Sequence, residues 1–348
     1  MRVLAYHTGP ITHLDHLGVL AAEMGIPLVT SDPLVLTMAK NYYPGLSIIL
    51  IDENASLSFL NDHCDALICS GKFLALELRK EFELLFGKKI RIIFSPHGNS
   101  DKGRSLKPPH PPQDIALLYG KQMYDLWNRT GVLKTTTSIV FTGNYRLPYY
   151  ERNKLFYKEL LDPIFNKLSP EKKTIFYAPT WPDKENPSPF FHIIEKLILS
   201  LKKSFNLIIK LHPFLKEHNP VETYLFLKTF EQEEGILILD EMPLVYPFLE
   251  RSAIYLGDYS SIGYDALYFD LSLYFLNNNP SSLEGCSLIP MGTTIDTSTI
   301  ETLAECIHEK EKNRKSASAA RKKLIDYCFE PYRGGREILK DIENASPL

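Results

Sequence analysis

Three short segments carry residue types suited to holding or moving a charged group. The first is Gly257-Asp258-Tyr259-Ser260-Ser261, entered from the apolar run Ile254-Tyr255-Leu256. Asp258 or Ser260 is placed to cap a helix that begins near Ser261. The N–H groups unpaired at such a helix start, together with the hydroxyls of Ser260 and Ser261, suit a phosphate or diphosphate. A capped helix without a ligand gives the same local pattern. The other two segments centre on histidines at expected strand ends, His97 in Phe94-Ser95-Pro96-His97-Gly98 and His212 in Lys210-Leu211-His212-Pro213. Histidine accepts protons near neutral pH, and the end of a strand facing a cleft is where one would act. His7 follows the first strand and is a third candidate. The remaining histidines, His13 and His16 among them, read as ordinary. Thr180 and Trp181 follow Tyr177-Ala178-Pro179, where the proline stops a strand; Trp181 either lines a pocket or covers a sheet edge.

Short apolar runs between turn residues must position these groups. In the first part of the chain they are Arg2–His7, Pro27–Thr30, Ser47–Ile51, Asp65–Cys69, Arg91–Phe94, Ile115–Tyr119 and Ser138–Phe141, with helical patterns such as Leu17–Met24 and Phe73–Phe86 between them. A second series comprises Thr174–Tyr177, Asn206–Leu211, Ile236–Leu239, Ala253–Leu256 and Leu273–Leu276, and 300–342 reads as mostly helical. Alternation of this kind predicts βαβ units and doubly wound parallel sheets. The pattern breaks at Gly143-Asn144-Tyr145-Arg146, so the expected division is a Rossmann-like domain over 1–145 and a second over 146–348 with a helical tail. Tandem domains of this type bind ligands at the carboxyl ends of strands, in the crevice between the halves. The proline-rich stretch 107–112 is expected to be a stiff loop.

Composition removes several function classes. A formal charge of −3 and a pI near 6.4 provide no global basic field to recruit nucleic acid. The five cysteines are scattered, which fits reduced thiols in a cytoplasmic protein better than a disulfide framework or a zinc site. No Asp-x-Asp pair or His/Asp cluster at ligand spacing calls for a metal, and no cofactor is implied. No apolar run is long enough to cross a bilayer.

Taken in order, His97-Gly98, Gly143-Asn144-Tyr145-Arg146, Tyr177-Ala178-Pro179-Thr180-Trp181, His212-Pro213 and Asp258–Ser261 resemble the pattern of the CDP-glycerol glycerophosphotransferase family, which makes teichoic-acid-type poly(glycerol phosphate). The resemblance implies a glycosyltransferase-B architecture and a CDP-activated donor with its pyrophosphate at Ser260 and Ser261. It implies that His97 takes the proton from an acceptor hydroxyl attacking the β-phosphorus, and that CMP leaves. By the same analogy His212 binds or neutralises the donor phosphates, Arg146 adds positive charge, and Gly98, Thr180, Trp181 and Asp258 contribute to binding. Such phosphoryl transfer rests on positioning and charge stabilisation. The chain departs from the family pattern at Tyr145 and Leu147, at 99–103, and at Asp270-Leu271-Ser272, where the family has an arginine and a proline.

A UDP-sugar glycosyltransferase, a nucleotide-sugar 2-epimerase of the same architecture, and a non-catalytic nucleotide- or glycan-binding descendant are the alternatives. A lipid-linked or glycan acceptor implies peripheral contact with the inner face of the cell membrane. The basic run between Lys310 and Lys323 is the stretch that could supply it, with a solvated helix face as its other reading.

Overall fold

Apolar runs bounded by turn residues become the strands of two parallel sheets in this computed structural model, which describes residues 1–71, 74–101, 113–181, 190–258, 260–277, 286–312 and 318–345. The stretch 107–112, with Lys102 and Gly103, Tyr259, Arg314 and Lys315, lies outside the described residues. The chain forms two units, Met1–Asn153 with Asp326–Leu348, and Lys154–Ile325.

The first unit is built on β1 (Val3–Tyr6), β2 (Leu28–Thr30), β3 (Ile48–Leu50), β4 (Ala66–Cys69), β5 (Arg91–Phe94), β6 (Ile115–Leu118) and β7 (Ser138–Phe141). They lie in the order β3-β2-β1-β4-β5-β6-β7, each described pair parallel. Strands β1, β4, β5 and β6 are buried along their whole length. That is why they read as continuous apolar runs without alternation. On one face Leu4, Tyr6, Val29, Leu67, Cys69 and Ile92 pack with Leu60, Leu78 and Phe82 from the helices Ser56–His63 and Leu74–Phe86.

The expected division after residue 145 differs from the observed one in two ways, each with a physical cause. The helix Arg146–Arg152 stays with the first unit because Arg146 is ion-paired with Asp15, Arg152 with Glu23, and the Tyr149 hydroxyl donates to the Pro44 carbonyl at 2.9 Å. The segment Asp326–Leu348 returns to that unit. There the Glu330 N–H donates to the Tyr119 carbonyl at 2.9 Å, and the Tyr332 hydroxyl bonds the Glu23 carboxylate. The helix Gly335–Asn344 buries Ile338 and Ile342 in the same unit.

The second unit is built on β8 (Lys173–Ala178), β9 (Phe205–Lys210), β10 (Ile236–Leu239), β11 (Ile254–Gly257), β12 (Ser272–Asn277) and β13 (Thr293–Asp296). Their order is β10-β9-β8-β11-β12-β13, again parallel. Ile175, Tyr177, Leu207, Ile209 and Leu256 form the core with Ile194, Leu197, Ile198 and Leu201 of the helix Phe190–Leu201.

Both sheets reverse winding direction at one point, between β1 and β4 in the first unit and between β8 and β11 in the second. The ends of those strands frame the crevice in which doubly wound sheets hold ligands. His7 and Ser70 follow β1 and β4, while Thr180 and Asp258 follow β8 and β11.

Candidate functional site

In the second unit the two strand ends at the reversal point are tied together directly. The backbone N–H of Thr180 donates to both carboxylate oxygens of Asp258, at 2.9 and 3.0 Å, and the Thr180 hydroxyl donates to Oδ2 at 3.1 Å. Asp258 was expected as a possible helix cap. Its carboxylate instead turns across to the loop after β8, because a buried N–H and hydroxyl there require an acceptor. The helix that follows is a single turn, Ile262–Asp265, with Ser261 at its N-cap making no side-chain cap bond. The Ser260 hydroxyl approaches the Ile262 N–H at 3.4 Å. The turn is fixed from behind by the Tyr246 hydroxyl, which donates to Asp265 at 3.0 Å.

His212 caps the helix Pro213–His218, its Nδ1 accepting from the Phe214 N–H at 3.2 Å. An accepting Nδ1 carries no proton, so the neutral ring presents Nε2–H as a donor. This state suits hydrogen bonding to a phosphate oxygen, and protonating Nδ1 would break the cap. Trp181 is half-buried on the core of the unit, 5.1 Å from the Phe214 ring and 6.4 Å from the His212 ring between centroids.

In the first unit the end of β5 continues through Ser95 and Pro96 to His97, whose side chain is exposed. Gly98 follows at φ 130°, a backbone conformation that side-chain-bearing residues avoid. The His97 ring stacks on His13, with centroids 4.1 Å apart and planes 21° from parallel. Beneath this pair lies a buried polar network. The Tyr119 hydroxyl donates to the Pro96 carbonyl at 3.2 Å, lies 2.9 Å from His16 Nδ1, and is 3.2 Å from the Tyr145 hydroxyl. Burial, with Arg146, His97 and His13 nearby, holds His16 well below the usual histidine range, so its ring is neutral. Burial also pushes the Tyr145 phenol up to about 12.

Arg146 is 3% exposed and ion-paired with Asp15, which also accepts from the Tyr43 hydroxyl at 3.0 Å. Its charge is thus committed to a buried carboxylate. At the reversal point of this sheet, His7 Nε2 and the Ser70 hydroxyl are buried with no hydrogen-bond partner among the described residues. Burial pushes His7 down to about 4.

Sequence reasoning set aside His13 and His16, and it missed Asp15 and Tyr119. The available signal was topological. His13, Asp15 and His16 sit in the short helical turns Ile11–His13 and Leu14–Gly18, a few residues past the end of β1 and therefore at a reversal point. The basic run near residue 320 is thinner than its sequence reads, since Arg321 is mostly buried and donates to the carbonyls of Phe269 and Leu271. No helix among the described residues is long and apolar enough to cross a membrane.

Two parallel doubly wound sheets of this order match the glycosyltransferase-B architecture, and solved structures agree on the fold. A variant of the wall teichoic acid polymerase TagF superposes with a TM-score of 0.68 at 16% identity, over 98% of this chain and 89% of that chain. MnaA of S. aureus, in a complex with UDP, gives 0.58 at 15% identity over 98% and 95%. The UDP-GlcNAc 2-epimerase of Neisseria meningitidis bound to UDP-GlcNAc gives 0.58 at 14% identity over 99% of both chains. At these identities the likeness establishes the fold. No curated protein matched by sequence. Residues 156–278, all within the second unit, match the family described as CDP-Glycerol:Poly(glycerophosphate) glycerophosphotransferase. Over these residues the match bears out the resemblance read from the sequence. Thr180, Trp181, His212, Asp258, Ser260 and Ser261 fall inside the matched residues; His97 and Arg146 lie outside them.

Proposed function

We propose that the enzyme transfers glycerol phosphate, or a related polyol phosphate, from a CDP-activated donor to a hydroxyl of a glycan or lipid-linked acceptor in the synthesis of a teichoic-acid-type polymer. The observation that carries this reading is that the family-matched residues include the strand ends at the reversal point of the second sheet, braced by the Thr180–Asp258 bonds. Ser260 and Ser261 bind the donor diphosphate, and His212 donates a hydrogen bond from Nε2 to one of its oxygens. Trp181 borders the donor. His97 removes the proton from the acceptor hydroxyl. The acceptor oxygen bonds to the β-phosphorus, the bond from that phosphorus to the bridging oxygen breaks, and CMP leaves with the electron pair. Buried and paired with Asp15, Arg146 shapes the first unit beneath His97 and does not itself touch substrate.

A thermal-shift screen of CDP-glycerol, CDP-ribitol, CMP and UDP-sugars tests the donor. Cytidine nucleotides should stabilise the chain, and stabilisation by uridine nucleotides alone would transfer the reading to a sugar transferase or epimerase. Release of CMP from CDP-glycerol with a short synthetic poly(glycerol phosphate) acceptor tests the chemistry. His97→Ala should slow it by roughly 10²–10⁴-fold, the usual contribution of a general base; unchanged turnover removes His97 from the role. Donor binding without product across acceptors would identify a binding protein. Salt-sensitive sedimentation with anionic liposomes is the matching test for peripheral membrane contact.

A further inference from the structure

We propose that His13 is the positioning residue for His97, holding its imidazole by face-to-face contact in the orientation that meets the acceptor hydroxyl. The proposal rests on His97 being the base assigned above.

His97 needs such support. Its side chain is exposed, and its loop turns at once through Gly98 at φ 130°. An active-site group that is misoriented loses rate, so what fixes the ring matters. His13 supplies a flat surface at 4.1 Å, in contact across the ring.

The support is itself anchored. Gly9, at φ 116°, lies against the His13 ring, with its absent Cβ position 3.5 Å from Nδ1. His13 closes the turn Ile11–His13 and leads directly into Leu14–Gly18, where His16 is hydrogen-bonded to Tyr119. Tyr119 in turn donates to the carbonyl of Pro96, the residue before His97. The links close on themselves: from His97 back along the chain to Pro96, through Tyr119 and His16 to His13, and across the ring contact to His97. A closed circuit of this kind fixes both rings relative to β5 and β6. Stacked rings offer each other their faces and not their nitrogens, so the contact orients His97 without exchanging protons with it.

The test compares His13→Ala, which removes the surface, with His13→Phe, which keeps a flat ring and discards the nitrogens. Both are made in the full chain and checked by thermal melting. The first readout is the Cε1–H resonance of His97, assigned with His97→Gln. It should move downfield and broaden in His13→Ala as ring-current shielding is lost, and stay near the wild-type position in His13→Phe. An unmoved resonance in His13→Ala overturns the proposal. The second readout is CMP release from CDP-glycerol. His13→Ala should lower kcat by roughly ten- to a hundredfold with KM for the donor unchanged, the scale expected for a misplaced catalytic group, and His13→Phe should recover most of it. A His13→Phe enzyme as slow as His13→Ala, with the resonance in place, also overturns it. If the wild-type chain releases no CMP, the transferase reading fails, while the resonance still decides whether His13 holds the ring.

Discussion

Replacing Asp258 should destabilise the second unit in a way that can be worked out from its contacts. The carboxylate takes two donors from Thr180, one backbone N–H shared between its oxygens and one hydroxyl. Hydrogen bonds to a charged acceptor contribute about 1.5–3 kcal/mol each, and a buried N–H left without a partner carries a further penalty. Thr180 is 4% exposed, so water cannot easily replace the lost acceptor. The hydroxyl can rotate to a new partner, and the two bonds share one anchor. Asp258→Ala should therefore lower the unfolding free energy by about 3 kcal/mol, and Asp258→Asn, which keeps one acceptor oxygen, by about 1 kcal/mol. The chain has two tryptophans, Trp127 in the first unit and Trp181 in the second. In a Trp127→Phe background, urea unfolding followed by fluorescence reports on the second unit alone, which matters because two units need not unfold together. Coincident transitions for Asp258→Ala and its parent would refute the reasoning. So would an asparagine variant as unstable as the alanine one, since that would place the effect in the charge and not in the bonds.

Two further outcomes follow from the first unit. His7 falls to about 4 in the fold against an ordinary value near 6.5, so below pH 6.5 the unfolded chain binds a proton that the folded one refuses. Its stabilising contribution is complete above pH 6.5 and is lost as the pH falls towards 4, about 3 kcal/mol in all. The stability–pH curve of His7→Gln should be flatter over that window, with residual slope from His16, which shifts in the same direction. Arg146→Met takes away the guanidinium that pairs with the buried Asp15 carboxylate and keeps the Tyr43 hydroxyl donor, and should cost about 3–5 kcal/mol as read from Trp127 fluorescence in a Trp181→Phe background. Adding Asp15→Asn should restore part of the loss, and failure to do so would show that the guanidinium acts through packing.

Most of the fold is legible because buried parallel strands are continuous apolar runs. Arg91–Phe94, Ser138–Phe141 and Ile236–Leu239 match their expected bounds, and the other expected strands shift by a residue or two at their ends. The edge strand Thr293–Asp296 escaped because only Ile295 is buried, so its sequence reads as a polar turn. The C-terminal return escaped for a different reason. Local patterning shows that 335–344 is an amphipathic helix, but not which sheet its apolar face meets. At the site, strand-end histidines are visible as residue types followed by Gly or Pro. The His13–His97 contact joins residues far apart in the chain, and the Asp15–Arg146 pair spans most of the first unit, so neither leaves a local signature.

The return of Asp326–Leu348 has a consequence for how the protein is made. The second unit is one uninterrupted stretch, 154–325, whereas the first is assembled from pieces lying on either side of it. During synthesis the ribosome therefore releases everything the second unit needs before it releases the segment that covers the Tyr119 and Glu23 side of the first. Until then the nascent first unit must wait with that surface open, which makes it the part most dependent on chaperone protection and most sensitive to premature termination near residue 330.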